Sequence, residues 1–226
     1  MNEKILIVAA HPDDEVLGCG GTVARLIKQG CEAYTLILGE GITSRDEIRD
    51  EKKRSEEIES LKNNAIKASS IIGVKDIVLR DLPDNRFDTV EMLQIVKLIE
   101  SMIRDVDPQV IFTHYCNDLN IDHQITYKAL ITAARPGGPA NVKSIYSFEV
   151  LSSSEWNYPK VFTPNVYYDI SDTVQVKLRA LKEYEGEMRE YPHPRSLKAV
   201  DLNAQKRGSE SGLKYAEAYE AVRIIK

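Results

Sequence analysis

Short runs of branched apolar residues alternate with longer segments of helical spacing through the first 150 residues of this 226-residue chain. Glu3–Ala10 (EKILIVAA), Ala33–Gly39 (AYTLILG), Asp76–Arg80 (DIVLR) and Gln109–Tyr115 (QVIFTHY) are each about one strand long and rich in Ile, Val and Leu. Gly21–Gln29, a charged stretch from Asp46 to Ile72, and Thr89–Arg104 place apolar residues at helical intervals. Near-continuous apolar strands separated by helices predict an α/β fold, with a mostly parallel sheet covered by helices on both faces. Ser144–Val150 and Asn165–Ile170 read as further strands. Gln124–Ala134, Val174–Arg189 and Leu197–Tyr219 read as helices, with breaks near Tyr191–Pro194 and around Gly208–Gly212. The length suits one domain over residues 1–226, with a core in 1–150 and a C-terminal part, 151–226, that completes it.

In a doubly wound sheet of the common order 3-2-1-4-5, the first and fourth strands are neighbours at the switch point. Their C-terminal loops then face one crevice, the usual ligand site of such folds. Those two loops hold the densest chemistry in the chain.

The first strand runs directly into His11-Pro12-Asp13-Asp14-Glu15. Four ionisable side chains in five residues, at the end of an apolar strand, are costly to hold in a crevice without a cation. A capped helix start accounts for one acid near a positive helix end, but not for a histidine with three successive acids. The following Gly18-Cys19-Gly20-Gly21 does not satisfy G-x-G-x-x-G, because position 23 is Val; it predicts close helix–strand packing. The fourth strand ends in Thr113-His114-Tyr115-Cys116-Asn117-Asp118-Leu119-Asn120-Ile121-Asp122-His123. Two imidazoles and a carboxylate with one open position make a hydrolytic zinc environment, and the same donors suit Fe(II).

Bulk composition narrows the class further. The net charge of −5 leaves no basic stripe for a nucleic acid and no general attraction to anionic membranes. Three cysteines without close spacing suggest neither a disulfide framework nor a thiolate cluster. No apolar run approaches the roughly 20 residues of a membrane span, and the first run lacks a signal-peptide cleavage pattern, so a cytoplasmic location is expected. The mixed-sign run Asp46–Glu59 reads as a solvated helix face.

The two loops resemble the PIG-L/LmbE-like family of zinc-dependent N-acetylglucosaminyl deacetylases. Ala10-His11-Pro12-Asp13-Asp14-Glu15 matches that family's A-H-P-D-D-E signature completely, and Asp122-His123 matches the D-H that ends its second motif. The resemblance implies a Rossmann-like three-layer fold and removal of the N-acetyl group from an amino sugar or its conjugate. Carried over by motif, His11, Asp14 and His123 are the metal ligands and Asp13 the catalytic base. Asp122 orients a neighbouring group. Where many members have a histidine that stabilises the oxyanion, this chain has Asn120, which donates a hydrogen bond but cannot shuttle a proton.

Further substrate contacts are expected at Arg45, at Asp84 and Asn85 after the third strand, at His114, and at His193 and Arg195 between prolines. Trp156 reads as core. A metalloamidase acting on a non-sugar amide or thiol conjugate is the nearest alternative function. A non-catalytic Rossmann-type nucleotide-binding module is another, opposed by the acidic first loop, which would repel a pyrophosphate. The partner expected is a small N-acetylated substrate, and the sequence leaves assembly into a homo-oligomer open.

Overall fold

A computed structural model of the chain describes residues 3–137, 141–159 and 162–226. Seven strands, β1 (Lys4–Ala9), β2 (Glu32–Gly39), β3 (Asp76–Leu82), β4 (Val110–His114), β5 (Ser144–Phe148), β6 (Val166–Asp169) and β7 (Ala216–Ile224), form one sheet in the order β3-β2-β1-β4-β5-β7-β6. The β3-β2-β1-β4-β5 block is parallel, as the alternating apolar runs predict, and β7 and β6 close the far edge antiparallel. β1 pairs with β4 in the register Ile5 to Val110, so both strands end at one crevice.

The helices are α1 (Asp14–Lys28), α2 (Ser55–Ile72), α3 (Met92–Val106), α4 (Ile121–Ala133), α5 (Val174–Lys182) and α6 (Leu197–Ser211). Strand alternation sends Ile5, Ile7 and Ala9 of β1 into one core with Val16, Leu61 and Leu181, from α1, α2 and α5. Leu6 and Val8 enter the opposite core with Ile95, Ile99 and Leu130 of α3 and α4. That is the expected three-layer Rossmann-like α/β arrangement. The glycines of α1 serve packing: a Cβ on Gly18 would stand 2.3 Å from the Phe148 ring, and one on Gly21 3.0 Å from Ile170.

Three element readings are corrected. α1 starts at Asp14 rather than Gly21, because the Asp13 carbonyl accepts the amides of Val16 (3.1 Å) and Leu17 (2.9 Å) and opens the helix there. Residues 46–54 are bends, irregular chain and a turn rather than helix, tied by ion pairs from Asp46 to Lys53 and Arg54. The helix read to Tyr219 stops at Ser211, with Gly212 at φ 73°, and the chain returns as β7 between β5 and β6. Among the described residues no helix is long and apolar enough to cross a membrane.

Candidate active site

Beyond β1 the chain turns sharply, and His11, Asp13, Asp14 and Glu15 are all buried. The Asp14 side chain caps its own loop, its Oδ2 accepting the His11 amide at 2.8 Å. Asp13 sits at φ 106°, a conformation L side chains rarely adopt. On the second loop Asn120 caps α4, its Oδ1 accepting the Asp122 amide at 2.8 Å. That cap fixes the first turn of α4, and Asp122 and His123 point inward, both fully buried.

The two loops bring His11, Asp14 and His123 together, with one donor atom from each within 4.8 Å of the others. Asp14 Oδ2 is 3.4 Å from His11 Nδ1 and 3.3 Å from His123 Nε2. Each imidazole is backed by a carboxylate on its other nitrogen. Asp122 Oδ2 lies 2.9 Å from His11 Nε2, and Asp118 Oδ1 lies 3.1 Å from His123 Nδ1. Such carboxylate–histidine pairs set the tautomer and raise the basicity of metal-ligating imidazoles. Asp14 Oδ1 and both nitrogens of the His123 ring are buried without a well-aligned hydrogen bond among the described residues, although Asp118 and Asp14 Oδ2 stand close to the two nitrogens. Orphaned buried polar atoms are rare and costly, and a divalent cation shared by Asp14 Oδ1 and His123 Nε2 satisfies both at once. The donor set therefore fits a metal ion.

The electrostatics agree. Burial works against charge on His123, but Asp14 and Asp118 outweigh it and hold the imidazole up at about 9. Burial alone would raise Asp14; the neighbouring imidazoles hold its carboxyl well below the usual carboxylate range. The pocket is thus built for a positive charge. Burial pushes Asp13 the other way, well above that range, and Arg195, with Nη1 3.2 Å from Asp13 Oδ2, only partly offsets it.

The other expected site residues divide. Asp84 borders the centre, with Oδ1 3.4 Å from His11 Nε2 and Oδ2 accepting from the Ser44 hydroxyl at 2.5 Å. Asn85 accepts from the Asn120 amide at 3.0 Å, so the loops after β3 and β4 are joined at the rim. Arg195 is braced by Ser152, and the His193 ring accepts its backbone amide. Arg45 lies further out, paired with Glu57 and Glu187. His114 is fully buried; its Nε2 accepts the Ala10 amide at 2.8 Å and its ring stacks on His123 at 3.9 Å. Trp156 is not core; it is 44% exposed and meets the His193 ring edge-on.

Asp118 and Tyr184 are not distinguished as parts of the site by the sequence, and Glu15 is marked only as a member of the first motif, without a role. Asp118 is fully buried and accepts from Ser153 and Ser154 as well as from the Asn120 amide. Its position four residues before Asp122, inside an already polar loop, was the only sequence signal for it.

The PIG-L family profile, described as GlcNAc-PI de-N-acetylase, matches residues 6–134, more than half of the chain. The chain belongs to that family, whose chemistry is hydrolysis of an amide. It is 27% identical to diacetylchitobiose deacetylase of Thermococcus kodakarensis over 97% of this chain and 83% of that protein. Its fold matches the N,N'-diacetylchitobiose deacetylase of Pyrococcus horikoshii at a TM-score of 0.77 and 20% identity, covering 98% of this chain and 84% of that one. A 4-carboxy-2-hydroxymuconate hydratase from Pseudomonas putida matches equally well, at a TM-score of 0.77 and 20% identity over 99% and 98% of the two chains. The fold alone therefore does not select the reaction.

Proposed function

We propose that this protein hydrolyses the N-acetyl group of an amino sugar or sugar conjugate, using zinc held by His11, Asp14 and His123, in the cytoplasm. The buried atoms Asp14 Oδ1 and His123 Nε2, neither of them hydrogen-bonded among the described residues, carry this reading. When bound, a divalent cation supplies Lewis-acid polarisation of a carbonyl and an acidified water. Fe(II) suits the same donors.

Asp13 is the base. Its carboxyl is held beside the ligand Asp14 yet outside the donor set, where it takes a proton from the attacking water and returns it to the departing amine nitrogen. A carboxyl whose burial favours the protonated form suits that second step. Arg195 steadies the ionised form. Asp122 and Asp118 hold the two imidazoles, and the free N–H of Asn120 is the donor to the oxyanion. Asp84 and Asn85 meet the sugar hydroxyls at the rim, while Arg45 and His193 support this edge through Glu187 and Arg195.

The remote half of the substrate has room beside Arg195. A cavity of about 440 Å³ is lined by Tyr158, Pro192, Pro194, Leu202, Asn203 and Lys206. Its mix of apolar faces and amide groups suits a second sugar ring or an aglycone. The test is a panel of free, disaccharide and nucleotide-linked N-acetylamino sugars and non-sugar acetamides, incubated with zinc-loaded protein and scored for free amine. The reading predicts release from N-acetylamino sugars, faster for conjugates, and a KM raised by Leu202→Arg for conjugates only. Release confined to non-sugar amides would overturn the sugar assignment.

A further inference from the structure

The last residue of the first motif, Glu15, has no part in the chemistry above. It is 4% exposed, belongs to no group able to ligate a metal, and adds a third buried carboxylate beside Asp13 and Asp14. Burying a charge in such company needs a specific return.

The contacts show what that return is. Glu15 Oε2 accepts the backbone N–H of Asp13 at 3.1 Å. Its other oxygen, Oε1, accepts the hydroxyl of Tyr184, which is fully buried and lies 169 residues further along the chain, in the turn after α5. On its other side the Asp13 peptide is fixed by its carbonyl, which accepts the Val16 and Leu17 amides. Asp13 thus stands at φ 106° with both flanking peptide groups clamped. A non-glycine residue in such a region is strained and persists only where its surroundings over-determine it. A carboxylate suits the task because it only accepts and has two oxygens, one for the N–H and one for the O–H.

We propose that Glu15 and Tyr184 are a positioning pair: they hold the Asp13 backbone in its strained conformation and so aim its carboxylate at the reacting water. The inference rests on the reading of Asp13 as the base. The C-terminal part of the chain thereby gains a catalytic consequence, since Tyr184 reaches the first loop from the turn after α5.

The test uses the full-length, metal-loaded protein and three variants. Glu15→Leu removes both bonds and is expected to lower kcat by ~10²-fold, the scale of a misplaced group, with metal content unchanged and KM within twofold. Tyr184→Phe keeps the ring and removes one hydroxyl, for a loss on the order of tenfold. Glu15→Gln keeps an oxygen for the Asp13 N–H and an amide for the tyrosine oxygen, and is expected to restore most of kcat. In an Asp13→Asn background, Tyr184→Phe should cost nothing further, because the group it positions is gone. Equal losses in both backgrounds would overturn the proposal and mark the pair as general packing. A second readout stands apart from turnover: NMR hydrogen exchange of the Asp13 amide in metal-free protein. Glu15→Leu, or Tyr184→Phe should the first variant not fold, is expected to speed it several-fold relative to Val16. Unchanged protection would overturn the clamp. Full activity in Asp13→Asn would instead remove the base assignment, leaving the exchange result to decide the clamp alone.

Discussion

Helix α1 carries two buried clusters of charge, one at its first turn and one at its middle, and they are finished differently. At the middle, Lys177 of α5 donates to the Leu17 carbonyl at 2.7 Å and to Glu217 of β7 at 2.6 Å. Glu217 in turn accepts the Gly21 amide at 3.0 Å, the Thr22 amide at 2.6 Å and the Tyr219 hydroxyl at 3.0 Å. Both charges are buried, and each is matched by an opposite charge and by backbone groups. At the first turn, Asp14 and His123 are buried just as deeply but leave Asp14 Oδ1 and His123 Nε2 without a hydrogen bond among the described residues. Burial of charge alone therefore says little about function. An unfinished set of partners separates a site awaiting a ligand from a structural ion pair.

Substitutions at the two clusters should fail in opposite ways. The largest effect is expected at the open one: His123→Ala should leave protein that folds but holds almost no divalent metal by elemental analysis. Full metal content in that variant would erase the distinction. At the closed cluster, Lys177→Met strands the Glu217 carboxylate and should cost about 3–5 kcal/mol of stability, read by denaturant unfolding. Metal content and kcat of the folded fraction should not change, and a loss of metal would show that the clusters are coupled.

A smaller effect is expected at Asn120, which both caps α4 and offers a donor to the oxyanion. Asn120→Asp keeps a good cap but loses the N–H, so stability should hold while kcat falls ~10²-fold with little change in KM. Unchanged turnover would leave Asn120 as a cap alone. The smallest effect concerns protons. With its imidazole held up at about 9, His123 is charged in metal-free protein at pH 7.5 and must lose that proton to ligate. Apparent metal affinity should therefore rise with pH by about tenfold or more per unit between pH 7 and 9, because burial works against charge on His11 too, but Asp122 and Asp14 overcome it and hold that imidazole up as well. Calorimetry in buffers of different ionisation enthalpy should detect the released proton; a flat affinity across that range would contradict the open-cluster picture.

Much of this was legible in the sequence for a simple physical reason. Ionisable residues packed against the end of an apolar strand have few structural uses, so His11, Asp13 and Asp14 stood out, as did Asp122-His123 on the neighbouring strand's loop. What stayed hidden depends on partners distant in sequence. β7 (AEAYEAVRI) is rich in Ala and Glu and reads as helix; only the gap between β5 and β6 makes it a strand. Asp118 is distinguished by Ser153 and Ser154, 35 and 36 residues away, and Glu15 by Tyr184. A strand-end imidazole such as His114 looks the same in sequence whether it faces substrate or bonds a backbone amide, as its Nε2 does here. Trp156 misled because an aromatic gives no sign of which way its loop faces.

The most direct test of the whole account compares the parent protein with Asp13→Asn at equal zinc occupancy. Release of acetate from an N-acetylamino sugar conjugate is measured under single-turnover conditions. One zinc per chain is expected in both proteins, with a rate at least ~10²-fold lower in Asp13→Asn, the scale of losing a positioned base. An Asp13→Asn protein that keeps its zinc and releases acetate at the parental rate would contradict the account.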